Sequence, residues 1–138
     1  MNPDAPWIKR TAPGLYAVPE RAGLVLLAGG MMGGAEVSED AWISEDAGST
    51  WTQLARPLWS TSAGRYRSAM LPLPPRNRVD SEVRVLMLGG LFIDGGGGGY
   101  GGLERLLHDA WECNLDTSAV TTKQAATWKQ WGAETEDR

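Results

Sequence analysis

Two apolar runs, each closed by a pair of glycines, dominate the hydrophobic pattern of this chain. Residues 24–28 precede Gly29 and Gly30, and residues 83–88 precede Gly89 and Gly90. Short continuous apolar runs bounded by turn residues predict strands that are buried on both faces. Between and after them, further short strands are predicted at residues 15–18, 67–74, 109–115 and 127–131, separated by loops at residues 31–39 and 91–108.

A compact hairpin is predicted within residues 40–54, DAWISEDAGSTWTQL. Residues 41–44 and 51–54 form the two strands, and residues 45–49 form the turn. The motif in this segment is S-x-D-x-G-x-T-W, made by Ser44, Asp46, Gly48, Thr50 and Trp51. Gly48 can take a positive φ, the Ser and Asp side chains can hydrogen-bond to backbone groups of the turn, and the Trp ring can cover the hairpin base. We interpret Asp46 as a structural residue; the alternative is a catalytic acid or a metal ligand.

Three landmarks occur twice, in the same order. The glycine pairs correspond to each other, Asp-Ala-Trp occurs at residues 40–42 and 109–111, and Thr-Trp occurs at residues 50–51 and 127–128. Three paired landmarks indicate an internal repeat of about four strands per copy. The sequence therefore predicts one domain over residues 1–138, with a first repeat at 10–56, a second at 65–131, and a flexible tail at 132–138.

These landmarks resemble the Kelch-repeat family of β-propellers, whose blades carry Gly-Gly after the second strand, a small or acidic residue and Trp on the third, and Thr-Trp at the fourth. The S-x-D-x-G-x-T-W motif resembles the Asp-box of sialidase-like propellers. The resemblance covers residues 10–131 and implies an all-β fold, a partial β-propeller of about two four-stranded antiparallel blades. In both families these residues pack the blades, so Trp42, Trp51, Trp111 and Trp128 are expected to be largely buried, and binding belongs to loops on one face.

Composition narrows the classes of function. The 138 residues include 18 Gly and 7 Trp but only one Phe, which is typical of bladed all-β folds. One His, the single Cys113 and a net charge of −4 offer neither a metal-ligand cluster nor a basic surface for nucleic acid. No apolar run approaches the roughly 20 residues of a membrane span, and residues 1–10 lack a signal-peptide pattern. We therefore expect no cofactor, metal, nucleic acid or membrane partner, and the cytoplasm is favoured as the compartment.

Known propellers close with about four to eight blades, whereas this chain supplies about two. Two blades leave two sheet edges exposed, so we expect a larger polypeptide, a ring of copies with about six blades, or a partner that covers the edges.

The expected function is that of a Kelch-like protein-interaction module or scaffold, without enzyme activity. The alternatives are a sialidase-like carbohydrate-binding or glycoside hydrolase fragment, prompted by the Asp-box and by Arg10, Arg65 and Arg67, and a structural subunit of a larger assembly. The candidate binding residues on the loops are Trp59, Arg65, Tyr66, Arg67, Tyr100 and His108.

Overall fold

The computed structural model describes residues 5–19, 21–32, 36–55, 57, 64–76, 82–94, 103–118 and 126–132. In this part of the chain all regular structure is β, which confirms the predicted all-β class. The strands are β1 (Arg10–Thr11), β2 (Gly14–Ala17), β3 (Val25–Ala28), β4 (Met31–Met32), β5 (Ala41–Ser44), β6 (Thr52–Gln53), β7 (Ala69–Leu73), β8 (Glu82–Asp94), β9 (Leu103–Asp116) and β10 (Ala126–Gln130). The predicted tail beyond Gly132 lies outside the described residues.

The strands form two four-stranded antiparallel sheets. The N-sheet has the order β2-β3-β5-β6, and the C-sheet has the order β7-β8-β9-β10, so each sheet is a meander of strands that follow one another along the chain. The two short strands β1 and β4 pair with each other beside the N-sheet. Each repeat of the sequence therefore corresponds to one sheet.

Both predicted loops contain strand residues. Met31–Met32 of the predicted loop at residues 31–39 form β4, and residues 91–94 and 103–108 of the second predicted loop belong to β8 and β9. The ladder between β8 and β9 continues beyond the glycine pair after an irregularity between Leu88 and Gly90. The glycine pair predicted the end of the strand, but apolar side chains at Leu91, Phe92 and Ile93 allow the strand to continue beyond it. We call residues 91–94 with 103–107 the arm. His108 follows it within β9 instead of lying in a loop.

The strand registers show that the paired landmarks occupy equivalent places. Trp42 lies opposite Gln53 in the N-sheet, and Trp111 lies opposite Gln130 in the C-sheet. The next residue of each closing strand makes the same bond: the amide of Leu54 donates to Ala41 O, and that of Trp131 donates to Ala110 O, both at 2.9 Å. The structural repeat thus extends from the motifs to the backbone hydrogen bonds around them.

The core lies between the sheets, which pack front to back. We define the front face of the N-sheet by Tyr16, Leu26, Ala28, Ala41 and Ile43, and the back face of the C-sheet by Val85, Met87, Cys113, Leu115 and Trp128. These two faces share one buried apolar cluster. The Met70 side chain of the C-sheet lies directly over Gly14 of the N-sheet.

The four tryptophans of the repeat are not equally buried. We expected Trp42, Trp51, Trp111 and Trp128 to be largely buried, but only Trp128 is, at 6% exposure. The other three are half-buried. Trp42 and Trp51 lie on the outer side of the N-sheet, where the ring of Trp7 packs against them with centroid distances of 5.7 and 4.6 Å.

Candidate functional site

An Arg–Asp–Trp cluster occurs once in each sheet. In the C-sheet, Arg65 donates two 2.8 Å hydrogen bonds to the Asp109 carboxylate and one of 2.9 Å to Gly89 O, and Trp111 Nε1 donates to Asp109 at 2.7 Å. In the N-sheet, Arg10 pairs with the Asp40 carboxylate and donates to Gly29 O at 2.9 Å, and Trp42 Nε1 donates to Asp40 at 2.9 Å. Arg10 and Arg65 therefore occupy equivalent positions in the two repeats. The sequence analysis had not recognised these two arginines as part of the repeat.

Arg65 also joins the two sheets through its backbone. Its carbonyl oxygen accepts a 2.8 Å hydrogen bond from Gly30 N of the N-sheet. Gly29 lies beside it with φ +66°, and a Cβ there would overlap the same carbonyl oxygen. Glycine is therefore required at this position both by conformation and by the close approach of the chain.

The clusters hold their carboxylates in the ionised form. Burial raises the pKa of Asp40, but hydrogen bonds from Arg10, Ser38 and Trp42 outweigh it and leave the pKa below its ordinary value. The same balance of burial against Arg65 and Trp111 lowers the pKa of Asp109. Both arginine side chains are only 3% exposed and are neutralised internally. They bind groups of their own sheets and present no charge to an external carboxylate.

The S-x-D-x-G-x-T-W turn is closed by its own side chains. Ser44 Oγ accepts from Gly48 N at 2.8 Å and donates to Asp46 at 2.8 Å, while Asp46 accepts from Thr50 N at 2.7 Å. Trp51 Nε1 donates to Gly48 O at 3.1 Å, and Gly48 has φ +90°. Hydrogen bonds from Thr50, first from its side chain and then from its backbone, lower the pKa of Asp46 to about 2. The Asp46 carboxylate therefore accepts hydrogen bonds from Ser44 and Thr50 of its own turn.

The candidate binding residues do not share one surface. Arg65 and Tyr66 are buried, at 3% and 1% exposure, and so are not on the loop surface where the sequence placed them. Arg67 is exposed, with its guanidinium 6.0 Å from the centre of the Tyr66 ring. His108 is exposed on β9. Trp59 and Tyr100 lie outside the described residues.

Tyr66 fastens the base of the arm. Its backbone exchanges hydrogen bonds with Leu91 at 3.0 and 2.9 Å, and its hydroxyl donates to Glu104 across the arm. Burial, followed by the hydrogen bond to Glu104, raises the pKa of Tyr66. The arm itself exposes two large apolar side chains, Leu103 at 65% and Leu106 at 81%. Alternation along the strand places these two leucines on opposite sides of the arm.

A buried carboxylate that the sequence reading missed lies in the C-sheet. Glu112 is fully buried and accepts from Arg76 at 2.6 Å, from Asn114 at 2.9 Å and from Arg84. Burial raises the pKa of Glu112, but Asn114 and the two arginines outweigh it and leave the pKa below its ordinary value. Its position corresponds to Ile43 of the N-sheet. Alternation in residues 112–114 places Cys113 on the core face of β9 and Glu112 on the other face with Asn114. This polar–apolar–polar pattern is the sequence signal from which the position of Glu112 could have been predicted.

A cavity of about 530 Å³ opens beside the outer N-sheet, under the Trp7 ring. The three cluster side chains that line the cavity are already hydrogen-bonded, because Arg10 and Trp42 both donate to the Asp40 carboxylate. Its lining residues include Trp7, Ile8, Arg10, Met32, Asp40, Trp42 and Gln53.

Within the described ranges, no three metal-ligating side chains come together. No helix in that same part of the chain is long and apolar enough to cross a membrane. Comparisons with protein families, with curated proteins and with solved structures found no match to this chain.

Proposed function

We propose that this chain is a partial β-propeller of two Kelch-like blades that acts as a protein-interaction module or scaffold. Support for the architecture comes from the repeated meanders, their front-to-back packing, and the two equivalent Arg–Asp–Trp clusters. Together they make a rigid support, because each cluster ties an incoming strand to the glycine pair and the third strand of its sheet. Sites carried on such supports are commonly formed by the connections at one end of the blades.

The exposed leucines of the arm are the observation that carries the binding proposal. Leu103 and Leu106 are among the most exposed large apolar side chains of the described residues, and they extend from a ladder held by Tyr66. Because the strand pair is already fixed, little conformational entropy is lost when its apolar side chains bind a partner. Removal of these side chains from water then favours association. A protein partner with an apolar cleft fits this arm.

Site-specific crosslinking tests the proposal. A photoreactive amino acid at Leu103 should capture a protein, and the same group at Glu45, in the turn of the β5–β6 hairpin, serves as the matched control. The captured protein is then purified and titrated with the chain by calorimetry. We expect Leu103→Asp and Leu106→Asp each to weaken this binding by about tenfold or more, since each buries a charge on the apolar contact. Equal binding by the wild type and both variants would refute the proposal.

One contact favours the glycoside hydrolase alternative, namely the hydrogen bond from Tyr66 to Glu104 beside Arg67. A tyrosine nucleophile supported by a glutamate is the arrangement expected of sialidase-like enzymes. Against this alternative, Tyr66 is buried, its pKa is raised, and Arg10 and Arg65 are engaged by aspartates. The binding module is therefore the better-supported function.

A further inference from the structure

The two outer faces of the molecule are the repeat equivalents of the two faces that form its core. Register places Leu71, Leu86 and Leu88 of the C-sheet where the N-sheet has Tyr16, Leu26 and Ala28. We call the surface formed by Leu71, Leu86, Leu88, Ala110 and Glu112 the C-sheet front face. The N-sheet back face is defined in the same way, by Leu15, Val25, Leu27, Trp42 and Trp51.

Exposure differs sharply between equivalent front-face positions. Ala28 is 2% exposed because the C-sheet covers it, whereas its equivalent Leu88 is 37% exposed. Leu26 is 0% exposed and its equivalent Leu86 is partly buried, while Leu71 is 46% exposed and its equivalent Tyr16 is partly buried. On the back faces, Leu15 is 59% exposed, and its equivalent Met70 packs over the N-sheet. Leu15, Leu71 and Leu88, three of the seven large apolar side chains that the described residues expose, thus lie on surfaces that a neighbouring sheet buries in the other repeat.

We propose that these outer faces bind each other in different copies of the chain, with the C-sheet front face of one copy on the N-sheet back face of the next. This inference rests on the partial-propeller architecture of the proposed function. It repeats between molecules the front-to-back contact that exists within one molecule. Because the two contacting surfaces differ, the contact is heterologous and continues from copy to copy until a ring closes.

The charges on the C-sheet front face are compatible with this contact. Glu112 and Arg84 replace Ile43 and Leu24 of the N-sheet, and they pair with each other. Their side chains are only 1% and 12% exposed, and Arg76 adds a second positive group. The approaching copy therefore meets a Glu112–Arg84 pair that is already neutralised, and the additional positive charge of Arg76 is on a side chain that is 54% exposed to water.

The N-sheet back face leaves room for a second copy on one half. Trp7 packs over Trp42 on β5 and over Trp51 just before β6. Leu15 on β2 and Val25 on β3 form the other half, and Leu15 projects into solvent. The strands β2 and β3 are therefore the part of this face on which the next copy is placed.

Sedimentation equilibrium of the wild-type chain at micromolar concentration is the first measurement. Three copies supply six blades, within the range of about four to eight in which propellers close, so a particle of about 45 kDa is expected from 14.9 kDa chains. A monomer under these conditions would overturn the inference.

Two single-face variants test the direction of the contact. Leu88→Asp disables the C-sheet front face, Leu15→Asp disables the N-sheet back face, and both sites are exposed enough to accept a polar side chain. Each variant alone should be monomeric, while an equimolar mixture should form a one-to-one dimer, because each variant retains the face that the other needs. Assembly of either variant alone, or no dimer in the mixture, would overturn the inference.

Leu103→Asp is the matched control, since it places the same charge on an exposed leucine outside both faces. It should keep the wild-type assembly while losing the partner captured through the arm. If the wild-type chain assembles but no partner is captured through the arm, the proposed binding function is refuted and the proposed ring is supported. Loss of assembly in all three variants would instead refute the front-to-back contact.

Discussion

Replacing Asp109 with alanine should destabilise the protein, because it removes the carboxylate that pairs with the buried guanidinium of Arg65. Arg65 would lose both hydrogen bonds to the carboxylate while keeping the one to Gly89 O, and Trp111 Nε1 would lose its hydrogen bond to Asp109. Removing one partner of a buried ion pair costs about 3–5 kcal/mol. Because the Asp109 side chain is 21% exposed, water can reach part of the site, and we expect a loss of about 3 kcal/mol. For a chain of this size that corresponds to a decrease in Tm of about 10 °C.

Urea unfolding followed by tryptophan fluorescence measures this loss, and two further variants test its cause. Asp40→Ala should cost less, because Arg10 retains acceptors at Gly29 O and Ser38 Oγ, both at 2.9 Å. The double variant Arg65→Met with Asp109→Leu should be more stable than Asp109→Ala, since it leaves no unpaired charge. The proposed stabilising role of the buried Arg65–Asp109 pair would be refuted if Asp109→Ala lowered the free energy of unfolding by less than about 1 kcal/mol. It would also be refuted if the double variant were no more stable than Asp109→Ala.

Three other outcomes are expected. Asp46→Ala should lower Tm by several degrees without changing arm-mediated binding, because the carboxylate is hydrogen-bonded to groups of its own turn, chiefly those of Thr50; unchanged Tm with lost activity would favour a catalytic role instead. In the fold, the pKa values of Asp40 and Asp109 lie below their ordinary value of 3.8, and that of Glu112 lies below its ordinary value of 4.5. The stability that these carboxylates contribute is therefore complete above the ordinary pKa values and is lost as the pH falls through the lower values of the folded protein. The urea midpoint should accordingly be flat from about pH 8 to pH 5.5 and decrease below about pH 4.5. A fluorogenic sialoside should not be hydrolysed; turnover that disappears in Arg67→Ala would revive the glycosidase alternative.

The hairpin at residues 40–54 was the most predictable part of the fold. The β5 strand, Ala41–Ser44, has the bounds that the sequence predicted, because an S-x-D-x-G-x-T-W turn is closed by local side chains. The arm was not predicted, because the glycine pair that signals a strand end also allows a backbone irregularity through which a ladder continues. Burial of Arg65 and Tyr66 was missed for a related reason. Their environment is set by Asp109 and Glu104, each about 40 residues away.

By itself, the sequence determined the all-β class, the four-strand period of the repeat and the hairpin turn, since alternation, glycine position and turn side chains act over a few neighbouring residues. Only the tertiary structure decided which face of each strand is buried. Ile43 and Glu112 occupy equivalent positions on β5 and β9, yet one enters the core and the other pairs with arginines on an outer face. That difference arises because a second sheet covers the N-sheet front face, and a side chain's burial depends on what packs against its sheet as well as on its place in the strand.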